Sequence, residues 1–99
     1  MTSKDLVLSC IPYGKENAIK KRELMSKTNL ADRVLRQEIE DLRNDGIFIC
    51  NNQDGKGYYI TDDVDEIAKQ YRADTARALS ILKRRKYMRN YLKQKGQKV

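Results

Sequence analysis

Residues 28–60, TNLADRVLRQEIEDLRNDGIFICNNQDGKGYYI, constrain what this chain can fold into more than any other stretch. Leu35, Ile39 and Leu42 recur at i, i+4 and i+7, the spacing of one buried helical face. At about 100° per residue, Arg33, Gln37, Glu40 and Asn44 then lie on the opposite face, with Arg36 and Arg43 at its border. Gly46 stands where a helix closing in the left-handed conformation wants glycine. Ile47, Phe48, Ile49 and Cys50 form a β-prone run, residues 51–55 are dense in turn formers, and residues 57–60 are a returning strand. A helix braced from behind, a glycine stop and a hairpin with a basic tip predict a surface that reads double-stranded DNA.

Upstream, Ser3 is expected to cap a first helix ending near Cys10, with Asp5 in its first turn and Leu6, Val7, Cys10 and Ile11 as its apolar stripe. Pro12 cannot continue that helix, and Gly14 supports a turn. Ala18 and Ile19 predict a short strand covering the hairpin edge. A second helix is expected from Lys21 to about Lys27, with Leu24 and Met25 turned inward and a lysine where a capping side chain is usual. Asn29 tolerates the left-handed geometry of a tight turn, Leu30 plugs the core, and a third helix starts at Ala31 or Asp32. Two such helices about a three-residue turn make a helix-turn-helix.

Downstream, Thr61 and the acids at 62, 63, 65 and 66 signal another helix start. Val64, Ile67, Ala68, Tyr71, Thr75, Ala78, Leu79 and Leu82 keep one face, and Ile81, Met88 and Leu92 run beside it. A helix is expected from about Asp63 into the low nineties, fraying before Gly96. Its first half either packs on its own domain or pairs with a second copy. The predicted architecture is mainly α with a small β-hairpin (α+β), with a helix-turn-helix unit over 1–62 and a long basic C-terminal helix over 63–99.

Charge is distributed unevenly. Residues 1–74 carry 12 Lys/Arg against 14 Asp/Glu, while residues 75–99 carry nine Lys/Arg and no acid, so a net of −2 is followed by +9. A terminal block of like charge is an interaction surface for a polyanion. The absence of histidine removes the commonest general base and zinc ligand. The Gly55-Lys56-Gly57 triplet lacks the spacing of a phosphate loop, so no enzymatic activity, cofactor or metal is expected. No apolar run approaches the ~18 residues of a membrane span, and no signal peptide is expected at the N-terminus. Cys10 and Cys50 could pair, but two cysteines without a wider framework read as free thiols of a cytoplasmic protein.

The run TNLADRVLRQEIEDLRNDG followed by a hairpin ending GKGYYI resembles the winged helix-turn-helix at the N-terminus of biotin-repressor-type regulators. IPYGKENAIKKREL through GKGYYI also resembles small winged-helix proteins of phages and prophages of Gram-positive bacteria. The similarity covers about residues 3–61, and no biotin-ligase domain is expected to follow. It implies double-stranded DNA as partner, a third helix lying in the major groove, and a role as a transcriptional regulator or replication-associated factor. Ala31 and Lys21 depart from the family's capping residues, and the hairpin tip is longer.

On that reading Arg33, Arg36 and Gln37 are the base-reading residues, since Arg suits guanine and Gln suits adenine in bidentate contacts. Lys20, Lys21, Arg22 and Lys56 are phosphate contacts, as are Lys83, Arg84, Arg85, Lys86 and Arg89 of the tail. Glu38, Glu40 and Asp41 restrict close approach to the first two turns of the third helix. Tyr71, Ala78, Ile81, Leu82, Met88 and Leu92 are candidates for homodimerisation. The alternative is an adaptor that binds or inhibits a partner protein, with an RNA-binding accessory role as a third reading.

Overall fold

The computed structural model describes residues 1–51 and 55–99. Helices α1 (Ser3–Cys10), α2 (Lys21–Thr28) and α3 (Asp32–Asn44) are followed by strands β1 (Ile49–Cys50) and β2 (Tyr59–Ile60) and by a long helix α4 (Val64–Gln94). The result is a mainly helical α+β chain with one small antiparallel hairpin, in which Ile49 pairs with Ile60 and Cys50 with Tyr59.

The first helix begins one residue earlier than a Ser3 cap requires. Thr2 is the N-cap: its hydroxyl accepts from the Asp5 backbone N–H at 3.1 Å, and the Asp5 carboxylate accepts from the Thr2 N–H at 3.3 Å. This reciprocal capping box holds the Asp5 carboxyl below its ordinary range, with the Thr2 hydroxyl as the main cause. α1 then packs across α2 and α3, and Val7 and Ile11 enter a core shared with Leu24, Leu35, Ile39, Leu42, Ile49 and Ile60. Leu8, Cys10, Met25 and Leu30 pack against its margin.

Between α2 and α3 the chain turns through Asn29, whose φ of 58° and ψ of 29° are left-handed, and the Asn29 N–H donates to the Met25 carbonyl at 2.8 Å. α3 has Ala31 at its N-cap with no side-chain capping bond, so Asp32 is the first helical residue rather than the cap. At the far end, Gly46 (φ +94°) closes the helix. The Ile47 N–H reaches back to the Leu42 carbonyl at 3.1 Å and the Gly46 N–H to Arg43 at 3.0 Å, a Schellman closure. Because Ile47 is spent on that closure, β1 is shorter than the β-prone run, and Phe48 is left 56% exposed.

Arg43, placed by the sequence at the edge of the solvent face, is instead a clamp. Its Nε donates to the Ile49 carbonyl at 3.0 Å and its Nη2 to Asn51 Oδ1 at 3.0 Å, so the helix and the hairpin it feeds are held together. The guanidinium also lies 6.0 Å from the centre of the Tyr58 ring. A salt bridge from Lys4 to Asp45 ties the start of α1 to the end of α3.

The outer edge of β2 is covered by residues 12–19. Ile19 and Tyr58 exchange backbone hydrogen bonds of 2.9 and 2.8 Å, and Ile60 donates to Pro12 and accepts from Gly14 at 2.8 and 2.9 Å. The strand expected at Ala18–Ile19 is thus a single antiparallel bridge. Gly57 makes the approach feasible: a Cβ there would lie 2.1 Å from the Ile19 carbonyl oxygen. Of the adjacent tyrosines, Tyr59 is core and its hydroxyl donates to Glu66 Oε2 at 2.6 Å, while Tyr58 is half-buried.

α4 starts at Asp63, whose carboxylate accepts from the Asp65 and Glu66 N–H groups. It packs chiefly against β1, just beyond which the Gln70 side-chain oxygen accepts from the Asn51 N–H at 2.9 Å. Ile67 and Ala68 are half-buried, but Val64 and Tyr71, expected on the same packed face, are 77% and 70% exposed. From Asp74 onward every residue of α4 is exposed. The alternative in which the first half of the helix packs fully on its own domain therefore fails beyond its first three turns. At about 1.5 Å per residue, α4 sets the longest dimension of the molecule, 50 Å. Among the described residues no helix is long and apolar enough to cross a membrane.

Both cysteines are free thiols, Cys10 half-buried and Cys50 buried beneath α4. Burial pushes the Cys50 thiol above its ordinary value of 9.0. The folded state thus keeps this proton to a higher pH than the unfolded chain does. Its contribution to stability is intact below the ordinary thiol value and is lost as pH rises from there through the raised value of the folded state. At pH 8 a thiol reagent is expected to modify Cys10 at least tenfold faster than Cys50, followed by mass spectrometry. Equal rates would mean that α4 does not cover β1.

Candidate nucleic-acid interface

The outer face of α3 and the start of α2 lie side by side because Asp32 bridges them. Its Oδ1 lies 3.0 Å from Lys21 Nζ and 3.5 Å from Arg36 Nε. That oxygen is sealed from water and has no hydrogen bond of good geometry, so the two cations are what compensate its charge. As the first residue of α3 it also sits favourably at the positive end of the helix. The consequence is positional: Lys21 and Arg36 are held at one junction, and both remain substantially exposed.

One turn further, Gln37 donates through Nε2 to Asp41 Oδ1 at 3.0 Å. Arg33, exposed, makes no ion pair among the described residues. Arg33 and Gln37 border a shallow depression together with Ala31, Val34 and Glu38. Val34, to which the sequence reading gives no role, is 42% exposed on this surface. The available signal was its position between Arg33 and Gln37, off the Leu35–Ile39–Leu42 line.

A second depression collects Lys20 and Lys56 with Lys15, Glu16, Ala18 and Glu23. The hairpin and the entrance to α2, remote in sequence, thus meet through the Ile19–Tyr58 bridge. Arg22 is exposed in the first turn of α2. The expected extra length of the hairpin tip falls outside the described residues.

The tail cations are not gathered into this surface. Lys83, Arg84, Arg85 and Lys86 are consecutive on a helix and therefore point round its whole circumference, with Arg89 a turn beyond. They form a basic rod, separate from the α2–α3 junction. Among the described residues no group of histidine, cysteine or carboxylate side chains is arranged to hold a metal ion. Comparison with family models, curated proteins and solved structures finds no match to this chain.

Proposed function

We propose that the chain is a sequence-preferring DNA-binding protein of winged-helix type, acting as a regulator or replication-associated factor. The observation that carries the reading is the uncovered outer face of the first two turns of α3, where Arg33, Arg36 and Gln37 are exposed beside the basic start of α2. In a major groove Arg33 and Arg36 donate to guanine O6 and N7, Gln37 pairs with the edge of adenine, and Val34 meets a thymine methyl. Lys20, Lys21, Arg22 and Lys56 hold phosphates on either side. Asp32 aims Arg36 before the duplex arrives.

Titrating random and selected duplexes by fluorescence anisotropy tests this. Replacing Arg33 or Arg36 by Ala is expected to cost about 1–3 kcal/mol at the preferred site and to relax the preference there. Lys56→Ala is expected to weaken all sequences alike and to lower the salt slope by about 1. No binding to any duplex at low salt would sink the reading.

One observation favours the adaptor instead. Glu38, Glu40 and Asp41, with Asp45 at the C-cap, outnumber the cations at the end of α3, and they repel phosphate. A protein partner engaging that acidic end would leave duplex affinity negligible and would be lost on Glu40→Lys.

A further inference from the structure

We propose that α4 forms an antiparallel two-stranded coiled coil with α4 of a second copy, in a register fixed by Asp74 and Arg85. The starting point is spacing. Val64, Ile67, Tyr71, Asp74, Ala78, Ile81, Arg85, Met88, Leu92 and Lys95 follow one another in alternating steps of three and four, the a/d seam of a heptad repeat. Apolar residues fill seven of these positions and charges the other three. In the single chain the seam has no cover from Tyr71 onward.

The charged positions select the arrangement. In a parallel pair each a or d residue faces its own copy, so Asp74 meets Asp74 and Arg85 meets Arg85 inside the seam. In an antiparallel pair a faces d, and one register sets Asp74 of each copy against Arg85 of the other. That register also places Ile67 against Leu92, Tyr71 against Met88 and Ala78 against Ile81, leaving Lys95 over Val64 beside Asp63. Sliding by one heptad in either direction sets both charges against apolar side chains, leaving Arg85 unpaired across the seam and Asp74 with only Gln70 and Arg77 of its own helix, a cost the aligned register avoids.

Two further features point to the same occupant. The part of α4 that carries Asp63, Asp65, Glu66 and Asp74 would lie along the basic part, residues 83–95, of the other copy. The groove between β1 and α4 is lined by Ile47, Phe48, Ile67 and Tyr71, among others, and this is where Met88 and Leu92 of the second copy arrive. The pairing would also support residues 74–94, which as a lone solvated helix are marginal. Arg77 and the second copy's Arg84 flank the seam with like charge and oppose association, so a modest affinity is expected.

Sedimentation equilibrium of the full chain, without nucleic acid, tests the register independently of any duplex binding. The unaltered chain is expected to be a dimer in the micromolar range. Asp74→Arg or Arg85→Asp alone is expected to weaken it by about thirtyfold or more, and the double variant regains it because the pair is re-created with its signs exchanged. Circular dichroism at high protein concentration confirms that each variant folds. A chain that stays monomeric through the micromolar range, as it would if this face served a different protein, overturns the proposal. So does a dimer indifferent to either single reversal, or a double variant no better than the singles.

Discussion

Gly57→Ala is expected to lower the melting temperature by roughly 15 °C or more, the largest effect of any single methyl added to this chain. Two costs combine. The residue has φ +105°, which L side chains rarely adopt, and a Cβ would sit 2.1 Å from the Ile19 carbonyl oxygen, 2.4 Å from its carbon and 2.8 Å from Lys20 Cα. All three are backbone atoms, so no flexible side chain can swing aside. Strain and overpacking together cost about 3 kcal/mol or more, and in a domain of this size each kcal/mol is worth about 4–8 °C. Relief requires parting the Ile19–Tyr58 bridge, which would also move Lys20 and the entrance of α2. Gly55→Ala is the control. Its φ is +76° with nothing within 4 Å of the added atom, so it carries conformational strain without collision and is expected to lose only about 5 °C. Equal losses in thermal melts of the two variants would show that the close approach to Ile19 contributes nothing.

The contrast marks what kind of information the sequence holds. The buried face of α3, the stop at Gly46 and the turn at Asn29 are local matters, settled by side-chain period and by which residues tolerate left-handed backbone. These were legible residue by residue. The cap of α1 was misplaced by one because Thr2 and Ser3 both cap well; the deciding feature is Asp5 three residues after Thr2. Gly57 reads from the sequence as the start of the returning strand, and only the crossing of residues 12–19 over β2 shows that it is a contact point.

The candidate interface divides in the same way. The helical period placed Arg33, Arg36 and Gln37 outside, and they are outside. It also placed Arg43 near the solvent face, where a long side chain reaches the carbonyl of Ile49 and works as a clamp. A helical wheel cannot show this, because the partner lies beyond the helix end. The Lys21–Asp32–Arg36 junction was equally invisible, being a tertiary contact between two helix starts. For α4 the period identifies apolar lines but not what would cover them, and Tyr71, Ile81, Met88 and Leu92 are exposed in the single chain.

The steepest functional change is expected from the tail. Residues 83–99 hold eight of the 21 Lys/Arg and no acid, and under the proposed function they grip phosphates wherever the rod lies on a duplex. Each cation that meets a phosphate releases condensed counterions and contributes about −0.9 to the slope of log affinity against log salt. Deleting 83–99 would also remove Met88 and Leu92, so a shorter chain would confuse loss of charge with loss of the seam. Replacing Lys83, Arg84, Lys86 and Arg89 together by Gln avoids this, because none of the four stands at an a or d position. If all four meet phosphates, the slope becomes shallower by up to about 3.6, so the loss of affinity for random duplex between about 50 and 200 mM salt shrinks by roughly a hundredfold. Discrimination between the preferred and random sequence is expected to survive, since the groups assigned to base edges are on α3. The opposite result is as informative: an unchanged slope with intact preference would confine the duplex to the α2–α3 junction and leave the basic rod to a different polyanion. Because salt slope and preference are measured in the same titration, the roles of tail and helix separate without a structure of the complex.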